Sequence, residues 1–235
     1  MPKHRLDINV YQASVERTEW TFDNFKRVYL SFSAGKDSTV MLHITAQEAR
    51  KRNTKFGLLK VDLEGQYKFT IEHIKETIKE YSDVIDLYWV CLPIHLRNAV
   101  SVYEPFWKCW DKEQSENWIR PLPENSISDE DYFPFFRNGM AFEEFVPEFG
   151  EWYSKGELTA CLVGIRTDES LNRYRTISSK SKTTLDSKQY TTLVTENVYN
   201  VYPIYDWTTE DIWIYHAKNK DKRYKKLLLT KEYLD

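Results

Sequence analysis

Short apolar runs and helix-period stretches alternate through the first part of the chain. Val28-Tyr29-Leu30 reads as a strand, and residues 39–52 read as a helix filled by Val40, Met41, Leu42, Ile44, Ala46 and Ala49. Arg50-Lys51-Arg52 sit in its last turn, where positive charge suits the helix dipole. Phe56-Gly57-Leu58-Leu59-Lys60-Val61 predicts a second strand, ending at Asp62-Leu63-Glu64. Ile71, Ile74 and Ile78 fall at helical spacing within residues 69–81, and residues 85–91 form a third apolar run. Strand, helix, strand, helix and strand with short links predict a parallel, doubly wound sheet. Upstream, residues 10–25 suit a helix, with Trp20, Phe22 and Phe25 as packing residues.

That rhythm breaks over residues 93–150, where prolines 93, 105, 121, 123, 134 and 147 cluster with Trp107, Trp110, Trp118 and several Phe. This stretch is expected to be an insertion with its own small helices, such as residues 140–153. It serves either as a lid or as a packed cap with no ligand role. Thr159-Ala160-Cys161-Leu162-Val163-Gly164-Ile165 resumes the sheet as a fourth strand, and residues 198–204 give a fifth. Thr208 is placed to cap the following helix, with Asp211 completing a capping box. The expected fold is α/β: a doubly wound, mainly parallel five-stranded sheet with helices on both faces and an aromatic-rich helical insertion. Its segments are an N-terminal helical part (1–27), two halves of one sheet domain (28–92 and 156–217), the insertion (93–155) and a basic C-terminal tail (218–235).

Composition narrows the class. Hydrophobic residues make up 41% of the 235 and the mean hydropathy is −0.63, so a soluble chain is expected, with no membrane association. Met1-Pro2-Lys3-His4-Arg5 is not followed by an apolar signal core, which makes the cytoplasm the expected location. A net charge of −3 gives no global basic field to recruit nucleic acid, and local basic clusters leave direct nucleic-acid binding open. Cys91, Cys109 and Cys161 are widely spaced with no C-x-x-C pair, so neither zinc nor an iron–sulfur cluster is expected.

The chemistry concentrates between the first strand and its helix, at Ser31-Phe32-Ser33-Ala34-Gly35-Lys36-Asp37-Ser38. Unpaired N–H groups at a helix N-terminus cradle anions, Ser31, Ser33 and Ser38 add hydroxyls, and Gly35 permits close backbone approach. Lys36 adds a point charge. The stretch is neither a Walker loop, since Asp37 follows Gly35-Lys36, nor a three-glycine dinucleotide loop. A carboxylate beside phosphates calls for Mg²⁺ between them, which makes Asp37 and, at the next strand end, Asp62 the candidate metal holders. The plain alternative is an ordinary turn and helix cap. Arg166, at the end of the fourth strand, is placed to clamp a phosphate or sulfate, or else to pair with Asp168 or Glu169. Arg173 and Arg175 either hold a second anionic group or form a solvated surface.

Ser33-Ala34-Gly35-Lys36-Asp37-Ser38 resembles the PP-loop of the ATP-pyrophosphatase (adenine nucleotide alpha hydrolase-like, HUP-like) superfamily. Three more stretches extend the likeness in order: residues 59–73, Gly164-Ile165-Arg166-Thr167-Asp168-Glu169-Ser170 with Arg173 and Arg175, and residues 202–213 around Asp206-Trp207. Together they resemble phosphoadenosine phosphosulfate (PAPS) reductases. Residues 164–176 look nearest the branch that includes the immunoglobulin-binding regulator A co-activator.

The resemblance implies an adenine nucleotide or sulfonucleotide ligand, ATP or PAPS, with Mg²⁺. It places Ser31, Ser33, Ala34, Gly35, Lys36, Asp37, Ser38, Asp62, Gly164, Arg166, Arg173 and Arg175 around that ligand, with Lys36 and Asp37 as catalytic residues. The implied chemistry is ATP α–β cleavage with adenylation, or sulfur-group transfer. The alternative is a regulatory co-activator working through DNA or a protein partner of the ParB/sulfiredoxin-like type. The C-terminal Glu-Cys-Gly segment of PAPS reductases has no counterpart, so no cysteine is expected to act as a nucleophile. That branch continues beyond the last shared stretch, which implies a truncated or naturally short form.

Overall fold

The computed structural model describes residues 7–98 and 102–219. The basic tail therefore falls almost wholly outside the described residues, as do residues 1–6 of the N-terminal segment.

The apolar runs become strands β1 (Arg27–Ser31), β2 (Phe56–Val61) and β3 (Ile85–Val90). They are linked by helices α2 (Lys36–Lys51) and α3 (Lys68–Glu80), with α1 (Val10–Asn24) ahead of them. Asn9 caps α1 by accepting the Gln12 N–H at 2.9 Å. Within the insertion, β4 (His95–Arg97) and β5 (Phe106–Lys108) pair as an antiparallel hairpin. Two short 3-10 turns follow, then α4 (Phe142–Ser154). The chain returns to the sheet with β6 (Thr159–Val163), then α5 (Leu171–Ser178), β7 (Thr191–Leu193), β8 (Val198–Val201) and α6 (Thr209–Lys218).

The main sheet runs β3-β2-β1-β6-β8-β7. Five strands are parallel, as expected, and β7 adds a sixth, antiparallel to β8. The additional strand lies within Tyr190-Thr191-Thr192-Leu193-Val194, where the β-branched residues were the available signal.

The order fixes a topological switch. From β1 the chain winds outward through β2 and β3, then returns to the other side of β1 as β6. Ligands in open α/β sheets bind beyond the strand carboxyl ends at such a point. The loop after β1 and the Gly164–Arg166 turn after β6 both open there.

Helices cover both faces. Tyr153 of α4 donates to the Val28 carbonyl and accepts the Gly57 N–H, tying the helix across β1 and β2. Gly150 lets α4 lie close, since a Cβ there would sit 3.0 Å from the Tyr29 hydroxyl. Phe133, Phe145, Phe149 and Trp152 interlock around it, so part of the aromatic-rich insertion is core. On the α2 side, the Arg17 guanidinium grips Asp206 through two hydrogen bonds (2.7 and 2.8 Å), and Trp207 Nε1 donates to Ser14 (2.7 Å). Asp206 and Trp207 thus fasten α1 to the end of the sheet. The capping box at α6 forms: Thr208 N–H donates to Asp211 at 2.8 Å, and Asp211 N–H to the Thr208 hydroxyl at 3.1 Å.

Candidate functional site

β1 ends at Ser31, in register with Leu59 and Val163 on its two neighbours. Phe32 N–H still bonds the Leu59 carbonyl, so the chain leaves the sheet only at Ser33. Ala34 then takes a left-handed conformation (φ 67°), and Gly35 enters α2 without any side-chain cap. A helix so begun keeps its first-turn N–H groups unsatisfied by side chains. The hydroxyls of Ser33 and Ser38 lie 2.9 Å apart, and Ser33 Oγ also accepts the Gly35 N–H. Ser33 and Gly35 are exposed, whereas Asp37 and Ser38 are buried. The loop is steadied from behind: Thr39 donates to the Gly35 carbonyl and contacts His73 Nε2, both at 2.9 Å, and His216 Nε2 donates to the Lys36 carbonyl at 3.0 Å.

Gly164 is the contact between β6 and this loop. A Cβ there would sit 3.1 Å from Ser38 N and 3.2 Å from the carbonyl carbon of Asp37. Those neighbours are backbone and yield only if the helix start moves. Gly164→Ala is expected to lower stability by about 1–3 kcal/mol, read by urea denaturation, and to weaken anion binding at the loop. An alanine variant as stable as the parent would show that the junction gives freely.

Asp37 has two cationic partners. Its Oδ1 accepts from Arg166 Nε at 2.6 Å and its Oδ2 from Lys36 Nζ at 2.6 Å. Arg166 is 2% exposed, and its guanidinium reaches the Trp207 carbonyl at 3.3 Å and the Thr209 hydroxyl at 3.5 Å. Arg166 therefore meets the loop as expected from its strand end, but through Asp37 rather than as a free clamp. The pairings expected as alternatives are weaker: Asp168 lies 3.7 Å from Nη1, and Glu169 accepts the Arg166 backbone N–H at 3.2 Å. Arg173 and Arg175 lie exposed on α5, and Arg173 Nε stands 3.8 Å from Glu169.

Asp62 is 0% exposed and holds the insertion. Its Oδ2 accepts Trp89 Nε1–H at 2.7 Å, while Oδ1 takes the Glu64 N–H and the Arg120 guanidinium. Glu64 does the same beside it, accepting the Trp110 and Ile119 N–H groups at 2.8 and 3.1 Å. The Mg²⁺ role expected of Asp62 does not fit these partners, because the carboxylate is fully enclosed and both its oxygens accept from Trp89, Glu64 and Arg120; each Asp37 oxygen accepts one cation and keeps a further lone pair. Among the described residues, no group of three or more His, Cys, Asp or Glu is placed to hold a metal ion.

The three thiols are buried, that of Cys109 in the insertion included. Burial pushes the Cys109 and Cys161 thiols up to about 12, and Cys91 well up, opposite to the shift a nucleophile needs.

One residue beside the loop went unread in the sequence. Lys60, the single charge in the apolar run of β2, is 2% exposed, and its Nζ donates to the Ser33 carbonyl at 3.4 Å. Burial lowers its ammonium to about 8, partly offset by Asp62. A lysine inside an otherwise buried parallel strand was the available signal, since lysine is almost never buried unless paired.

A family model described as phosphoadenosine phosphosulfate reductase domain matches residues 27–233. The uncharacterized protein YbdN of Escherichia coli (strain K12) is 42% identical over 218 residues, covering 92% of this chain and 53% of that protein. The chain thus spans about half the length of that curated relative. Among solved structures, PAPS reductase from Candida auris in a phosphate complex aligns with TM-score 0.48 and 12% identity, over 94% of this chain and 90% of that one. Yeast FAD synthetase in complex with FAD aligns with TM-score 0.46 and 13% identity, over 91% and 60%. At such scores these two likenesses carry no weight for function. No helix among the described residues is long and apolar enough to cross a membrane.

Proposed function

The chain belongs to the phosphoadenosine phosphosulfate reductase domain family, and on that premise we propose that it binds an adenine nucleotide or sulfonucleotide, its phosphates seated at residues 33–38. The observation that carries this is the position of the loop. An uncapped helix start with two facing serine hydroxyls stands at the switch point between β1 and β6. Helix N-termini favour anions by their dipole and their free N–H groups. Asp37, held between Lys36 and Arg166, positions both cations against the loop.

The reaction proposed is cleavage or substitution between the α and β phosphates, with adenylation, or transfer of a sulfur group. In either case Lys36, 29% exposed at its side chain, is the cation able to turn toward charge developing on a leaving pyrophosphate. The buried thiols speak against a route through a cysteine nucleophile and favour a second reading. In that reading, the nucleotide is bound as a regulatory ligand. Pyrophosphate release from ATP or PAPS by the purified chain separates the two: release supports the enzyme, and tight binding without release supports the regulator.

Binding itself is tested by calorimetry. Ser33→Ala is expected to weaken ATP and PAPS binding by about 1.5–3 kcal/mol, the value of a hydrogen bond to a charged group, with the unfolding transition unchanged. Equal affinity in parent and variant would remove the loop from the site.

A further inference from the structure

Three cations surround the loop: Lys36, Arg166 and Lys60. The first two are directed at one carboxylate, Asp37, at 2.6 Å each. Lys60 differs. It is 2% exposed, its 3.4 Å bond to the Ser33 carbonyl is long for an N–H···O contact, and among the described residues it forms no ion pair. Asp62, Arg120 and Cys91 face it. Asp62 offsets part of the cost of burying it, but Asp62 is itself ion-paired with Arg120, which acts against that help. A buried ammonium without a counter-ion is costly. The loop thus carries incompletely compensated positive charge directly beneath Ser33.

We infer that Lys60 is the charge-supplying residue of the phosphate site, its ammonium held under the Ser33 carbonyl to meet a polyphosphate seated in the loop. This rests on the nucleotide reading above and adds what the loop selects: a ligand with more than one phosphate. The attraction to Lys60 grows with the charge of the phosphate chain, because in a poorly screened interior each added charge counts. A residue that merely shapes the loop would affect all nucleotides alike.

The test is calorimetry at pH 7 with AMP, ADP and ATP on the full chain and on Lys60→Met. Removing a buried, unpaired charge in favour of a similar apolar volume should leave the fold intact. Expected is a loss of about tenfold or more for ATP, less for ADP and under about twofold for AMP. Lys60→Arg should retain the rank order. A loss equal across the three nucleotides, or none, overturns the role of Lys60 while leaving nucleotide binding standing. No binding of any nucleotide by the parent chain overturns both. Should the methionine variant fail to fold, the unmutated chain still decides. The side-chain ¹⁵N resonance of Lys60 should shift on adding inorganic pyrophosphate, and an unmoved resonance in a chain that binds pyrophosphate rejects the assignment.

Discussion

Asp62→Ala is expected to cost about 3–5 kcal/mol of folding stability, the usual penalty for removing one partner of a buried ion pair. Three donors converge on this carboxylate: Trp89 Nε1, the Glu64 N–H and the Arg120 guanidinium. Alanine satisfies none of them. Arg120, with its side chain 15% exposed, is left as a charge beside the Glu64 carbonyl and the Trp110 ring. Urea denaturation measures the loss. Hydrogen exchange at Trp110 and Ile119 locates it, because their N–H groups rest on the adjoining Glu64. The competing expectation, that Asp62 is a magnesium ligand facing a nucleotide, makes the opposite forecast. A metal ligand in a cleft is dispensable for folding, so its removal would spare stability and impair only nucleotide chemistry. A loss under about 1 kcal/mol, within what ordinary point changes cause, would return Asp62 to the cleft.

How far the sequence spoke for this structure depended on the range of the interaction. β1, β2, β3, α2 and α3 were legible because each buries an apolar run or stripe of the matching period. The Thr208–Asp211 box was legible because both partners lie within one turn. β7 was not: Thr191-Thr192-Leu193 is β-branched but only three residues long, and it is held by pairing with β8. The loop could be recognised as an anion site from residue types, but the occupation of its carboxylate could not. Asp37 and Arg166 are 129 positions apart, and only the adjacency of β1 and β6 brings them together. Cys109 shows the same limit. Its run beside Trp107 and Trp110 gave no sign that its thiol would turn inward toward the Leu92 and Ile94 carbonyls. Lys60 was visible as an anomaly in β2, a charge among apolar neighbours. Its direction needed the neighbouring loop.

Arg166→Ala is expected to destabilise the fold by about 3–5 kcal/mol, a larger effect than its loss from a phosphate clamp alone would produce. Its guanidinium is fully enclosed. It joins the loop at Asp37, the Trp207 carbonyl and Thr209 at the start of α6. Truncation opens a void among these groups and leaves the Asp37 carboxylate with Lys36 as its remaining ion-pair partner. Lysine at 166 should not rescue, because a single ammonium cannot serve three acceptors spread around a planar fork. A double-mutant cycle with Asp37→Ala isolates the pair: a coupling of about 0.5–3 kcal/mol is expected for residues in one buried network. A clamp that reads a ligand anion predicts the reverse pattern. Stability would hold, the coupling to Asp37 would vanish, and PAPS affinity would fall more than ATP affinity. Urea denaturation of the two single variants and the double variant, with calorimetry on Arg166→Ala, decides between an arginine that builds the loop and one that reads its guest. The enclosure of its side chain beside the buried Asp37 favours the builder.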